Sequence, residues 1–252
     1  MKNLASIALS TLFVTNLLVG CVGGDNDKPD PASGDDQMDT DPGQGSDPVA
    51  TPIAFPKTCA EAKVGIANIT DGEHILYLGG DEQKPWSAYC VDMKTAAPKE
   101  YLTLLNAGQG TWSLYTAGGR SPGTDVRTIF DKVRIDPLTL KVNVSDVTFS
   151  TSTGSLVHLG ITEVTSMPLG VAMVCGPAGA TASVDFTGTP FDVLDGQFST
   201  AGDVGASGYA GVWPNGQVVE QWASGDCGYN APTSFDPMSH ADAYAIQLTY
   251  VK

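Results

Sequence analysis

From Ile53 onward, apolar positions alternate with polar ones, or run for four to eight residues between clusters of Gly, Pro, Asn and Asp. That is the pattern of strands divided by turns. The clearest strands it predicts are His74–Leu78, Ser87–Val91, Tyr101–Leu105, Lys132–Ile135, Leu138–Val144 and Val147–Phe149. Leu156–Ile161, Val171–Val174, Ala182–Phe186, Val218–Trp222 and Tyr244–Val251 follow. Along Leu138, Leu140, Val142 and Val144 the apolar residues fall on even positions; the phase then switches to Val147 and Phe149, which puts a turn or bulge at Ser145-Asp146. Thr58-Cys59-Ala60-Glu61 fits a capping box and predicts a short helix from Cys59. No helical period persists beyond two turns, and nothing repeats at 20–50 residues. Residues 57–252 therefore read as one all-β domain, mainly antiparallel and sandwich-like, with one short N-terminal helix.

The N-terminal part has a different pattern. Lys2 precedes an apolar run from Leu4 to Val19 that is diluted by Ser6, Ser10, Thr11, Thr15 and Asn16. A charged start and a short apolar stretch make a secretory signal, too short and interrupted to span a bilayer. It ends Leu18-Val19-Gly20-Cys21, which resembles the bacterial lipobox. The resemblance implies a lipoprotein signal peptide over 1–20, cleavage before Cys21, and lipidation of that cysteine. Several acyl chains would hold the chain stably in a membrane, where one holds it only marginally. An Asp directly after the cysteine favours the inner membrane in the lipoprotein sorting rule; Val22 stands there, so the outer membrane is expected. Residues 21–56, built mostly from Gly, Asp, Pro, Ser and Gln, cannot bury a core and read as an acidic disordered tether.

Charge sharpens this division. The 252 residues carry a net −15, and residues 22–56 hold eight Asp against Lys28 alone. Residues 57–141 hold ten acids and ten bases, whereas 142–252 hold ten acids and only Lys252. Such a balance excludes nucleic acid as a partner, which needs clustered Lys and Arg. The acidic half is either a solubilising surface or a site for divalent cations or basic partners.

Lipidation of Cys21 leaves Cys59, Cys90, Cys175 and Cys227, an even number that suggests two disulfides in an exported domain. Three connectivities are open, of which Cys59–Cys90 with Cys175–Cys227 is favoured. Zinc would want close pairs such as C-x-x-C, and the sequence has none.

Several stretches then occur in a recognisable order. They begin with Cys59-Ala60-Glu61, Asp71-Gly72-Glu73, Tyr89-Cys90-Val91-Asp92-Met93 and Pro98-Lys99-Glu100-Tyr101-Leu102-Thr103-Leu104. Phe130-Asp131-Lys132-Val133-Arg134-Ile135-Asp136, Met167-Pro168-Leu169-Gly170, Val184-Asp185-Phe186-Thr187-Gly188-Thr189 and Gly225-Asp226-Cys227-Gly228 continue them. Together they resemble the GON domain, the C-terminal module of ADAMTS-type secreted metalloproteases, over roughly 57–230. Animal GON domains carry more cysteines near the last segment, which reduces here to Cys227. The opening also resembles the start of a fibrinogen-like domain, in which a Cys pairs with the Cys of a Tyr-Cys-Asp-Met strand, and this supports Cys59–Cys90.

The family's parent enzymes are zinc peptidases, but their H-E-x-x-H helix is missing here: His74, His158 and His240 stand alone. Gly225-Asp226-Cys227-Gly228 has the outline of a protease Gly-Asp-Ser-Gly, without the His and Asp context and with its cysteine assigned to a disulfide. Asp192/Asp195 and Asp81/Glu82 read as solvated turns, and Asp71-Gly72-Glu73 as a hairpin turn. Hence no catalytic and no metal-ligating residue is assigned. No cofactor is expected, with zinc or calcium left as the ions that family association or the acidic C-terminal half would suggest. Tyr209 and Trp213 lie in a Gly-rich stretch read as a loop, where exposed aromatics can stack on sugar or peptide. The expectation is a lipid-anchored envelope or surface protein whose partners are the membrane, through Cys21, and an extracellular protein or polysaccharide. Its competitors are a zinc-dependent metalloendopeptidase or accessory, implied by the family, and a structural envelope lipoprotein.

Overall fold

The computed structural model describes residues 50–251 except 204, 214, 215 and 240, and residues 212 and 213 by their backbone alone. The chain divides into Met1–Asp47 and Pro48–Lys252. Residues 1–20, expected to be a signal peptide, Cys21 and nearly all of 21–56, expected to be a tether, lie outside the described residues.

The predicted capping box forms. Helix α1 (Cys59–Ala62) starts at Thr58, whose Oγ1 accepts from the Glu61 N–H at 3.1 Å. The Glu61 carboxylate reaches back one residue further than the motif requires and accepts from Lys57 N at 2.8 Å. Packing begins just ahead of the helix, where the Phe55 ring sits edge-to-face on Tyr77.

Apart from a 3-10 turn at Leu78–Gly80, the other regular elements among the described residues are strands, and nearly every pairing is antiparallel. The first sheet runs β1 (Gly72–Tyr77), β2 (Pro85–Val91), β3 (Lys99–Thr103), β6 (Lys132–Asp136), β7 (Lys141–Asn143), β18 (Tyr244–Tyr250), β13 (Phe191–Val193). The second runs β14 (Phe198–Ala201), β17 (Gly228–Pro232), β11 (Ala172–Val174), β4 (Trp112–Thr116), β12 (Gly179–Asp185), β16 (Val218–Ser224), β15 (Ser207–Trp213). Off this path β5 (Val126–Phe130) also pairs with β4, and β8 (Ser150–Thr153) pairs with β5. Strands β9 (Leu156–His158) and β10 (Thr162–Val164) form a separate hairpin. Among the pairings described, only β11 with β4 is parallel.

One buried cluster draws on both sheets: Leu76, Trp86, Val133 and Ile135 from the first, Tyr115, Val126, Phe130, Val184 and Val219 from the second. Burying such side chains is worth about 1.5–3 kcal/mol each. The Phe191 ring lies edge-on between Trp86 and Tyr250, joining β13 to β2 and β18. Both disulfides have the favoured pairing, Cys59–Cys90 and Cys175–Cys227. The first ties α1 to β2. The second joins the end of β11 to the start of β17, strands that already pair at Val174 and Gly228.

Several expectations need correcting. Leu156–Ile161 is strand only as far as His158, and the chain turns over 159–161. Leu138–Val144 is not one strand: the Asp136 carboxylate accepts from Leu138 N and Thr139 Oγ1 in a tight turn, and only residues from Lys141 onward are strand. Leu140, Val142 and Val144 are nevertheless buried as the alternation implied. Val147–Phe149 is a turn, held by the Asp146 carboxylate on Thr148 N. Asp71-Gly72-Glu73 is no hairpin turn but the start of β1, with Gly72 opposite Cys90.

A polar knot lies against the second disulfide. The Tyr115 hydroxyl is 2.8 Å from Ser121 Oγ, 2.5 Å from His158 Nδ1 and 3.0 Å from Cys175 Sγ. Burial, helped by the Arg120 charge, holds the His158 imidazole below its ordinary pKa of 6.5. The unfolded chain therefore takes up this proton more readily than the folded one, so His158 lowers stability as pH falls through 6.5. We expect the melting temperature to rise as pH rises towards 6.5, as the depressed imidazole pKa implies, and expect His158→Gln to flatten that rise in a thermal melt series. An unchanged slope would contradict it.

Candidate functional site

Strands β12 and β16 alternate inward and outward, and their outward residues form one face with those of β4 and β15. Register fixes the rows. Tyr209 lies opposite Trp222, which lies opposite Thr181; Gly211, Glu220, Ser183 and Trp112 make the next row; Val218 and Asp185 face each other in the third. At about 4.8 Å per strand, the distance from β15 to β4 is about 14 Å.

This face is hollowed into a cavity of about 600 Å³, within the size range of small-ligand sites. Its aromatic lining is Trp112, Tyr209 and Trp222, with Tyr209 54% and Trp222 41% exposed. A second hollow of about 480 Å³ shares Gln109, Gly110 and Asp185 with it and extends it towards Asn106 and Leu105. The result is a groove across the sheet with rings at both ends and hydroxyls and carboxylates between.

Small residues shape the groove. A Cβ on Gly179 would stand 2.8 Å from Trp222 Nε1, so the indole lies down over β12 only because that position is bare. A Cβ on Gly110 would come within 2.7 Å of Asp185 Oδ2. At the β4 end the Arg127 guanidinium packs 4.0 Å from the centroid of the Trp112 ring, holding it in place by a cation–π contact.

The carboxylates differ in how they are held. Asp185 accepts from Thr187 N at 2.8 Å and Asn106 Nδ2 at 2.6 Å. Burial would raise its pKa, but these hydrogen bonds outweigh it and hold the carboxyl below the ordinary carboxylate range. Glu220 is exposed on β16 beside Trp222. Ionised carboxylates only accept hydrogen bonds, so they suit a ligand rich in hydroxyl or ammonium donors.

The residues singled out in the sequence are distributed unevenly around this groove. Tyr209 belongs to it, although it sits on a regular strand rather than in a loop. Trp213 is the last residue of β15, opposite Val218, and its side chain lies outside the described residues, as do Cys21 and His240. Cys59, Cys90, Cys175 and Cys227 are all in disulfides. Asp226 pairs with Arg120, as does Asp203, and Cys227 is oxidised, so the Gly-Asp-Cys-Gly segment is a structural corner. Among the described residues, no three His, Cys, Asp or Glu side chains converge as metal ligands would.

Trp112, Trp222, Asp185 and Glu220 were not singled out as site residues. The outward alternation of Glu220 and Trp222 on Val218–Trp222 was the available signal, but it does not say which strands lie alongside.

Fold and site together define a disulfide-braced all-β module with an aromatic-lined groove across one sheet. The family model described as the GON domain matches residues 56–121. The match takes in α1, β1 to β4 and the first disulfide, and it ends before Phe130, where the remaining stretches of the resemblance begin. No curated protein and no solved structure gave a significant match.

Proposed function

We propose that the chain is a lipid-anchored envelope protein whose β domain binds a polysaccharide outside the membrane, without catalysing its cleavage. The aromatic groove carries this reading. Sugar rings present C–H faces that stack on exposed indole and phenol rings, and hydroxyl rims that hydrogen-bond to carboxylates, amides and hydroxyls. Tyr209, Trp222 and Trp112 supply the first kind of surface, and Asp185, Glu220, Ser183, Thr181 and Gln109 the second. A groove across the sheet suits a chain molecule, and its 14 Å breadth leaves room for several linked rings. Anchoring rests on the lipobox-like Leu18-Val19-Gly20-Cys21, and the acidic tether would hold the groove away from the lipid.

The test is affinity electrophoresis of the full chain, in detergent, through gels containing a panel of soluble polysaccharides. At least one should retard the protein, and Tyr209→Ala should weaken that retardation. If none of the panel retards it while an envelope or matrix protein does, the groove is a protein-binding surface and the reading fails. Anchoring is tested separately: Cys21→Ser should move the protein from the membrane fraction to the soluble one, and continued sedimentation with membranes would contradict it.

A further inference from the structure

The two carboxylates lining the groove, Asp185 and Glu220, say more than that the ligand is a sugar. Ser183 lies opposite Glu220, and Asp185 is two residues further along the same strand, so the two acids are diagonal neighbours on one face. Such neighbours lie about 7–8 Å apart. That spacing puts two acidic side chains on the same patch of the groove, next to Trp222. A positive group placed between them could donate charge-assisted hydrogen bonds to both. The other charge nearby, Arg127, is directed onto the Trp112 ring at 4.0 Å. The Asp185 carboxylate is also pre-oriented by Asn106 and Thr187, so little ordering is needed when a cation arrives.

Resting on the polysaccharide reading of this groove, we infer that its preferred ligand carries free amino groups, a partly or wholly deacetylated amino sugar polymer, with the ammonium seated between Asp185 and Glu220 and its sugar ring against Trp222. The same charges disfavour uronate and sulfate polymers, whose anions would face two carboxylates. A basic peptide has the charge but not the stacked rings.

The test is calorimetry on the full chain in detergent at about pH 5.5, where ordinary carboxyls and those held lower are ionised. The ligands are a short glucosamine oligomer and its fully N-acetylated counterpart, short enough to limit general attraction to a protein of net charge −15. The free-amine form should bind at least about tenfold more tightly, the scale expected of a charge-assisted hydrogen bond. Glu220→Gln should bring that ratio to within about threefold of unity, and salt near 1 M should narrow it by screening. Glu82→Gln, the same charge change in an exposed turn on the other sheet, should leave the ratio as it was. An N-acetylated form that binds as well as the amine, or a Glu82→Gln effect equal to that of Glu220→Gln, overturns the inference and leaves the polysaccharide reading intact. If neither form binds and no neutral or acidic polysaccharide binds, the polysaccharide reading itself fails. A lysine oligomer that binds more tightly than either sugar would assign the groove to basic peptides and overturn both.

Discussion

Replacing Cys175 and Cys227 together by alanine is expected to remove about 4 kcal/mol of folding stability. The bond closes a loop with a sequence separation of 52 residues. On the chain-entropy model that closure alone is worth about 4 kcal/mol. A domain of this size is stable by only 5–15 kcal/mol, so the loss would be a large part of the whole. The location adds to the effect. The bond clamps β11 to β17 in the middle of the second sheet, beside the Tyr115–His158–Ser121 knot and the loops that Arg120 ties through Asp203 and Asp226. Removing both cysteines avoids the free thiol that a single substitution would leave. Denaturant titration of wild type and double variant measures the difference, and the midpoint of a thermal melt should fall by roughly 10 °C. A loss below about 1 kcal/mol would show that the strand ladders alone hold this corner.

Trp222→Ala is expected to weaken polysaccharide binding by about thirtyfold or more. The indole lies in the groove between Tyr209 on one neighbouring strand and Thr181 on the other. Aromatic anchors of a binding site cost 2 kcal/mol or more when truncated, and each 1.4 kcal/mol is a factor of ten in affinity. Folding should suffer far less. Trp222 is 41% exposed, and its cross-strand contacts are worth about 0.2–1 kcal/mol each. Binding lost with stability retained would therefore assign the residue to recognition. Equal losses of both would mean that the ring serves only to hold the sheet.

Several parts of this structure could be read from the sequence, for physical reasons. The capping box at Thr58 is a local signal, and it forms because its donors and acceptors lie within four residues. Strands such as β2 and β18 bury alternate large apolar side chains, and the period of two makes them visible. Strands β4 and β5 escaped because their inward positions include Ser113 and Thr128, fully buried, while Leu114 and Ile129 face outward. Those hydroxyls are inside because they accept from the backbone, Ser113 Oγ from Val171 N and Thr128 Oγ1 from Met167 N. The apolar pattern was thus inverted by contacts 58 and 39 residues away. Strand β15 reads as a loop in the sequence because Gly208 and Gly211 break its pattern. Gly208 is needed where Thr200 approaches closely, with Oγ1 2.6 Å from where a Cβ would stand.

The groove was legible only in part for the same reason. In the sequence Tyr209 reads as an aromatic free to stack, but its partners Trp222 and Trp112 come from strands 13 and 97 residues away in sequence and meet it through register. Sequence distance hides a row that runs across a sheet. The disulfides were more accessible, because four cysteines allow few pairings. The position of Cys175–Cys227 beside a buried tyrosine and histidine was not, since it depends on the β11–β17 pairing.

The most direct measurement is the indole N–H spectrum of the full chain during titration with a polysaccharide fragment that it binds. The four tryptophans give four side-chain signals. Trp86 is buried in the core, away from the groove, while Trp112 and Trp222 line it. The account predicts that the Trp112 and Trp222 signals shift with saturable dependence on ligand while that of Trp86 stays fixed. Saturable binding that leaves Trp112 and Trp222 unmoved would place the ligand elsewhere on the protein and contradict the assignment of this groove.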